Sequence, residues 1–389
     1  MLDRRSRSRW LAIPLAAAML AMGCTATRSG DPVPDPVYYP ATPSPPRLQF
    51  LTSFSDATDR QHTQSRTSFS DWVVGQDRRA IERDTSFRSP YGLAVHDDQL
   101  YICDLASRRV HVLNLRTNDY RTLQTPQRLR NPVNITIAED GTRYLCDAGL
   151  GKVLIFDEDD RFIGEIAGEG DWAPFDLLIR NDELYLTNTR AAHVEVWSRD
   201  GHLLRTIGEK GEGPDQFAMP INLALGPDDQ LYVVDTYHRA VKVFDPDRGH
   251  YLRQIGGPGN RVGSFARPKG IAIDDHGVVY VGDSQYNVIQ MFEGSGQLLM
   301  VFGERGTEPW SMGMPAGLLI DRDTVEAFRS YLAPDFDPQY LLFVVNQFGR
   351  HKISVFAFGR DTSLPDSAYE VDRDAVTDHA RRQDAGEQP

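Results

Sequence analysis

Cysteine is scarce: three residues in 389. No Cys-x-x-Cys or Cys-x-x-Cys-His occurs, so zinc ribbons and covalently attached haem find no support. No apolar run is long enough to build a multi-span membrane protein. Basic residues are outnumbered, 42 Lys and Arg against 55 Asp and Glu, for a formal charge of −13. A nucleic-acid binder is expected to show a basic face, and this composition offers none. There is no Gly-x-Ser-x-Gly nucleophile elbow and no glycine loop opening a helix to hold phosphate. The glycine-rich stretch 208–213 leads into a strand instead. What is present is ordinary for a soluble globular chain, with 40% hydrophobic and 25% charged residues. Its 32 Gly and 24 Pro favour many turns over long helices.

The first residues read as an address. Arg4, Arg5, Arg7 and Arg9 precede a mostly apolar stretch, residues 10–22. That stretch is shorter than the roughly 20 residues of a spanning helix and fits a signal peptide, residues 1–23. It ends in Leu20-Ala21-Met22-Gly23-Cys24, which resembles a bacterial lipobox with Cys24 as the lipidated residue. The other reading is an ordinary secretory signal with a chance cysteine. Residues 24–46 are rich in proline and stay extended at roughly 3 Å per residue, as a tether would. Thr25 rather than Asp after Cys24 points, by the enterobacterial sorting rule, to the outer membrane, facing periplasm or exterior. Cys103 and Cys146 occupy equivalent positions of neighbouring repeats, too far apart for a disulfide. They are expected as buried, inert thiols.

An internal repeat dominates the rest. Pro90-Tyr91-Gly92-Leu93 recurs as Pro132-Val133-Asn134-Ile135, Pro174-Phe175-Asp176-Leu177, Pro220-Ile221-Asn222-Leu223, Pro268-Lys269-Gly270-Ile271 and Pro315-Ala316-Gly317-Leu318. Each copy has a second strand ending in an acid or amide: Asp104, Asp147, Asn188, Asp235, Asp283 and Asn346. A third strand follows, as in Val241-Lys242-Val243-Phe244, then a fourth, as in Leu203–Ile207. Apolar and polar residues alternate along the third strands, as half-buried strands require. Four short antiparallel strands per unit of roughly 45 residues make a propeller blade. The sixth copy carries an insertion between 321 and 340 and lacks a fourth strand. Leu48–Phe54 resembles the missing strand and would cover that open edge. The expected fold is therefore all-β, a six-bladed β-propeller over residues 47–360, with short helical insertions. Residues 361–389 are acidic, poor in apolar residues and expected to be disordered.

The Pro-x-Gly, Tyr-Val-x-Asp and Val-x-Val-Phe elements resemble the NHL-repeat family of six-bladed propellers. More narrowly, the plan resembles exported bacterial NHL lipoproteins. That resemblance implies a non-catalytic binding or scaffold role toward an envelope protein, with a redox partner such as a cytochrome among the candidates. Amidating lyases also resemble NHL propellers, but they bind zinc through channel histidines. The matching positions here are Tyr91, Val133, Phe175, Ile221, Lys269 and Ala316. His193, His238 and His351 fall in turns of separate blades and read as scattered surface histidines.

Two rings of residues stand where chemistry could occur, since function concentrates on loops held by a rigid scaffold. Asn134, Asp176 and Asn222 are expected at the channel mouth as a polar arc, with Asp176 its one anion and Lys269 across from it. The bland reading treats the Asn and Asp as substitutes for glycine at an unusual dihedral. The outer ring of Asp104, Asp147, Asn188, Asp235, Asp283 and Asn346 is expected to accept backbone N–H bonds in the following turn. Gluconolactonase-like propellers bind a divalent metal through Glu, Asn and Asp, and the arc resembles that set without its glutamate. The alternative function is thus a divalent-metal-dependent hydrolase or lyase at the channel. No cofactor is expected, although such oxygens could hold Ca2+ weakly.

Overall fold

The second strands are apolar and buried at successive positions, so each sheet has two faces to cover, and the six sheets cover both by packing on one another around an axis. The computed structural model describes residues 35–41, 43–59 and 85–369. The signal segment and Cys24 lie outside these residues. So do Phe69, Trp72, Val73 and Val74 of the insertion before blade one. Residues 36–389 form a unit distinct from 1–35, and the propeller lies within it.

Five blades are four-stranded sheets of consecutive antiparallel strands. Blade one is Pro90–His96, Gln99–Asp104, Arg109–Asn114 and Tyr120–Thr122. The inner strands of the other five are Pro132–Ile137, Pro174–Arg180, Pro220–Leu225, Pro268–Ile273 and Pro315–Asp321. Each inner strand touches the next, and that of blade six returns to blade one. Six apolar clusters fill the gaps, each drawn from two neighbouring blades. In the gap between blades one and two, for example, Tyr101 and Val112 meet Leu145 and Leu154.

The sixth blade closes the ring with strands from both ends of the unit. Its own strands are Pro315–Asp321, Phe336–Asn346 and Ile353–Asp361. Leu48–Phe54 pairs antiparallel with the last, Leu48 opposite Phe358 and Phe54 opposite Ile353. The sheet extends one strand further than the repeat pattern suggests. Val37–Tyr39, from the proline-rich stretch, pairs with Leu48–Phe50 as a fifth strand. Tyr39 packs against Phe302 and Phe356, with centroids 5.6 and 6.2 Å away. Aromatic burial holds this part of the stretch on the body.

The insertion of blade six forms a 3-10 helix, Val325–Tyr331, with Phe328 fully buried against Phe343. The backbone of Tyr331 and Ala333 bonds to the Gln49 side chain. The insertion thus covers the joint between first and last strands. The start of the expected disordered tail is also built in. Asp361 ends a strand, Asp366–Tyr369 is a short 3-10 helix, and the Arg47 guanidinium stacks 4.6 Å above the Tyr369 ring. Among the described residues no helix is long and apolar enough to cross a membrane.

Phe54 is 2% exposed and sits in the cluster joining blades six and one. Phe54→Ala should cost about 3–4 kcal/mol by opening a cavity at this joint, read as a lower urea midpoint. An unchanged midpoint would mean the closing strand contributes little.

Candidate functional site

Strand alternation separates the residues that begin each inner strand into two layers. Tyr91, Val133, Phe175, Ile221, Lys269 and Ala316 form one. Gly92, Asn134, Asp176, Asn222, Gly270 and Gly317 form the next layer along the axis. The first layer seals one end of the channel. Tyr91 reaches from blade one across the axis to blade four, its hydroxyl donating to Asn222 Oδ1 at 3.3 Å. The Phe175 ring meets it edge-on, centroids 5.2 Å apart. Lys269 Nζ lies 5.7 Å from the Tyr91 ring centre. Val133 and Ala316 are fully buried beside them.

This corrects the expected placement of the polar arc. Asn134, Asp176 and Asn222 do not line an open mouth; they lie beneath the seal. The channel of about 350 Å3 runs from them toward the far ends of the inner strands. There Thr136, Ile137, Leu225, Ile273 and Ile320 become half-exposed. Apart from the arc and Thr136, its wall is mostly Leu, Ile, Val and Ala. Lys269 does not join the arc. One residue earlier than Gly270, it faces the sealing layer, where its ammonium donates to Gln347 Oε1. Burial, then the nearby Arg267, push its pKa down to about 8.

The arc itself assembles around Asp176. Oδ1 accepts from Asn134 Nδ2 and from Leu177 N–H at 2.8 Å. Oδ2 accepts from Asn222 Nδ2 at 3.2 Å and Leu223 N–H at 2.8 Å. A carboxylate has about four lone-pair positions, and all are taken. The donors come from blades two, three and four, so one buried anion ties three blades. Burial pushes the Asp176 pKa up to about 6, although the four donors pull the other way.

Glycine elsewhere in this layer answers to space rather than dihedral. A Cβ on Gly317 would sit 2.2 Å from Tyr91 O, and one on Gly270 2.3 Å from Ala316 O. None of these glycines, nor Asn134, Asp176 or Asn222, has a positive φ. The reading of Asn and Asp as substitutes at an unusual dihedral therefore fails. Blades five, six and one crowd the axis, and blades two to four leave room for side chains.

The outer ring binds backbone on two sides. Asp104 accepts from Ala106 and Ser107 in its own turn, and from Arg88 and Ser89 in the segment before the inner strand. Asp147, Asp235 and Asp283 repeat this arrangement. Asn188 Oδ1 accepts from Ala191, and Asn346 Oδ1 from Gly313 N–H at 3.0 Å. Burial opposes the Asp104 charge, yet bonds from His111 and three backbone N–H groups hold its pKa down to about 2.

The three histidines stand in separate blades, each with its own partner. His193 meets Glu195 at 3.0 Å, His238 lies between Asp235 and Glu212, and His351 bonds Ser53. Sequence reasoning missed two groups. His111 is fully buried between Asp104 and Tyr120. Glu195 gathers both indole N–H groups of Trp172 and Trp197, with Asn188 and His193. Both stand at the polar position of the third strand, where a charged residue between buried valines was the available signal. Cys103 and Cys146 are buried free thiols, their pKa values raised by burial.

A family described as "6-bladed beta-propeller" matches residues 221–299. No curated protein matches the chain. Among solved structures, virginiamycin B lyase from Staphylococcus aureus is similar at 17% identity, over 69% of this chain and 81% of that one, TM-score 0.51. A gluconolactonase from Xanthomonas campestris is similar at 17% identity, over 84% and 99%, TM-score 0.52. A protein of unknown function from Bacteroides thetaiotaomicron is 13% identical over 71% and 70%, TM-score 0.54. These likenesses show the fold alone.

Asp176 holds its proton more tightly in the folded chain than at its ordinary value of 3.8. Its contribution to stability should therefore fall as pH rises from roughly 4 through 6, by about 3 kcal/mol at most. Urea unfolding from pH 4 to 7 should show this slope in the wild type and lose it in Asp176→Asn. Parallel slopes would place the proton elsewhere.

Proposed function

We propose that the chain is a lipid-anchored, extracytoplasmic propeller that binds a protein partner without catalysing a reaction on it. The observation that carries the reading is the saturation of Asp176. Both oxygens are filled by donors, and the channel end beside it is sealed by Tyr91. Asn134 and Asn222 turn their N–H groups, not their oxygens, toward this anion. As arranged, the three do not fit a divalent cation. Among the described residues no cluster of three His, Cys, Asp or Glu side chains could hold a metal.

The anchor rests on the sequence: the four early arginines, the apolar residues 10–22 and the lipobox-like residues ending at Cys24. Resemblance to NHL lipoproteins supports an envelope partner, with a redox protein such as a cytochrome as the class it implies. The outer membrane is the favoured location, from Thr25. The rival, a lyase or lactonase, takes its support from the names of the similar structures and from the raised pKa of Asp176 inside a blind channel.

Cys24→Ser should move the protein from the membrane to the soluble fraction, and the mature wild-type N-terminus should carry acyl chains by mass spectrometry. An unmodified wild-type N-terminus overturns the anchor. Turnover of a lactone, ester or amidated peptide by purified protein, lost in Asp176→Ala, would establish the rival.

A further inference from the structure

Antiparallel blades place two sets of loops on opposite faces of the ring. The loops between second and third strands, and the connections into each inner strand, share the sealed face. The hairpins between first and second, and third and fourth strands, share the other. Arginine is present on both, in different states.

On the open face arginines are neutralised. Arg180 grips Asp229 and Asp247, Arg199 meets Asp140 and Asp182, and Arg116 and Arg322 pair with Asp98 and Asp275. On the sealed face Arg190 of blade three pairs with Asp171, but six arginines over blades five, six and one do not pair. Arg261 and Arg267 precede blade five, Arg305 and Arg350 belong to blade six, and Arg108 and Arg109 to blade one. All six are exposed, and among the described residues none has a carboxylate within ion-pair distance. Glu304 and Glu308 are exposed in the same arc. Between the arginines stand exposed apolar side chains: Val262 at 76%, Phe348 at 58% and Tyr286 at 40%. Tyr286 is steadied by its hydroxyl, which donates to Gly259 O at 3.0 Å.

We infer that this face, over blades five, six and one, docks an acidic segment of a protein partner. The inference rests on the binding reading above and adds the surface and the partner's chemistry. Unpaired guanidinium groups on a chain of net charge −13 would attract carboxylates and orient the encounter. Planar forks suit bidentate carboxylate recognition better than lysine does. Aromatics and arginine without exposed lysine among them is the composition of a protein interface. A long polyanion such as nucleic acid is disfavoured by the net charge of −13, which a short acidic segment docked on one arc of the ring does not have to meet.

A photo-crosslinking residue placed at Phe348, and separately at Asp200 on the other face, tests this in the full chain in cells. Phe348 should capture a polypeptide whose crosslinked segment is rich in Asp and Glu. Arg267→Glu, Arg305→Glu and Arg350→Glu together should cut capture about ten-fold or more, and Arg116→Glu on the open face should not. Capture of nucleic acid or lipid, no capture from Phe348, or capture indifferent to the triple change overturns the inference. Capture from Asp200 alone overturns it while the binding reading stands. If neither position captures anything and the purified protein turns over a substrate, both readings fall.

Discussion

A ring of sheets is stable only when its last gap is closed, and here closure depends on one strand from the front of the unit. Leu48–Phe54 completes the blade whose other strands lie some three hundred residues later. Without it, Ile353–Asp361 would present a bare hydrogen-bonding edge. Apolar residues joining blades six and one, Phe87, Phe343 and Val355 among them, would face water. The additional strand Val37–Tyr39 and the helix Val325–Tyr331 both reinforce this joint. The outer ring of Asp and Asn serves the same end locally. Asp104, Asp147, Asp235 and Asp283 each hold both the turn after their own strand and the segment before the inner strand, while Asn188 holds the turn and Asn346 the segment, fixing the loops to the frame.

The axis sets the second constraint. Where three neighbouring strands crowd together only glycine fits, and the opposite half has space that is filled by Asn134, Asp176 and Asn222. A buried carboxylate is costly unless it is fully bonded. The structure meets that need from within, with amides and backbone N–H groups of three blades. The result is a polar clamp rather than an open ligand site. Tyr91 completes the enclosure by spanning the axis. Rigidity at the centre leaves the loop surfaces as the place where contact with other molecules can vary.

Net charge conceals how that surface is divided. The acids outnumber the bases, yet much of the acid is spent on neutralising arginines of the open face or on backbone N–H groups of the outer ring. The arginines of the sealed face over blades five, six and one are left exposed. Composition therefore gave no sign of the arc of unpaired arginines over blades five, six and one. Composition counts charges, and only topology assigns them to sides.

The spacing of prolines and acids, and the alternation in the third strands, were enough to establish six blades. Those signals are local, and each strand needs only its own neighbours to form. The missing fourth strand of the last copy and its likeness at Leu48–Phe54 made even the closure legible. The polar arc was legible as a set of residues but not as an arrangement. Whether Asn134, Asp176 and Asn222 meet a ligand or one another depends on side chains brought together from different blades, and Tyr91 seals the end from a blade opposite Asn222. Lys269 was misplaced because a single step along a strand turns a side chain into another layer. Such distances across the axis have no counterpart in chain order, so the three-dimensional packing alone decided them.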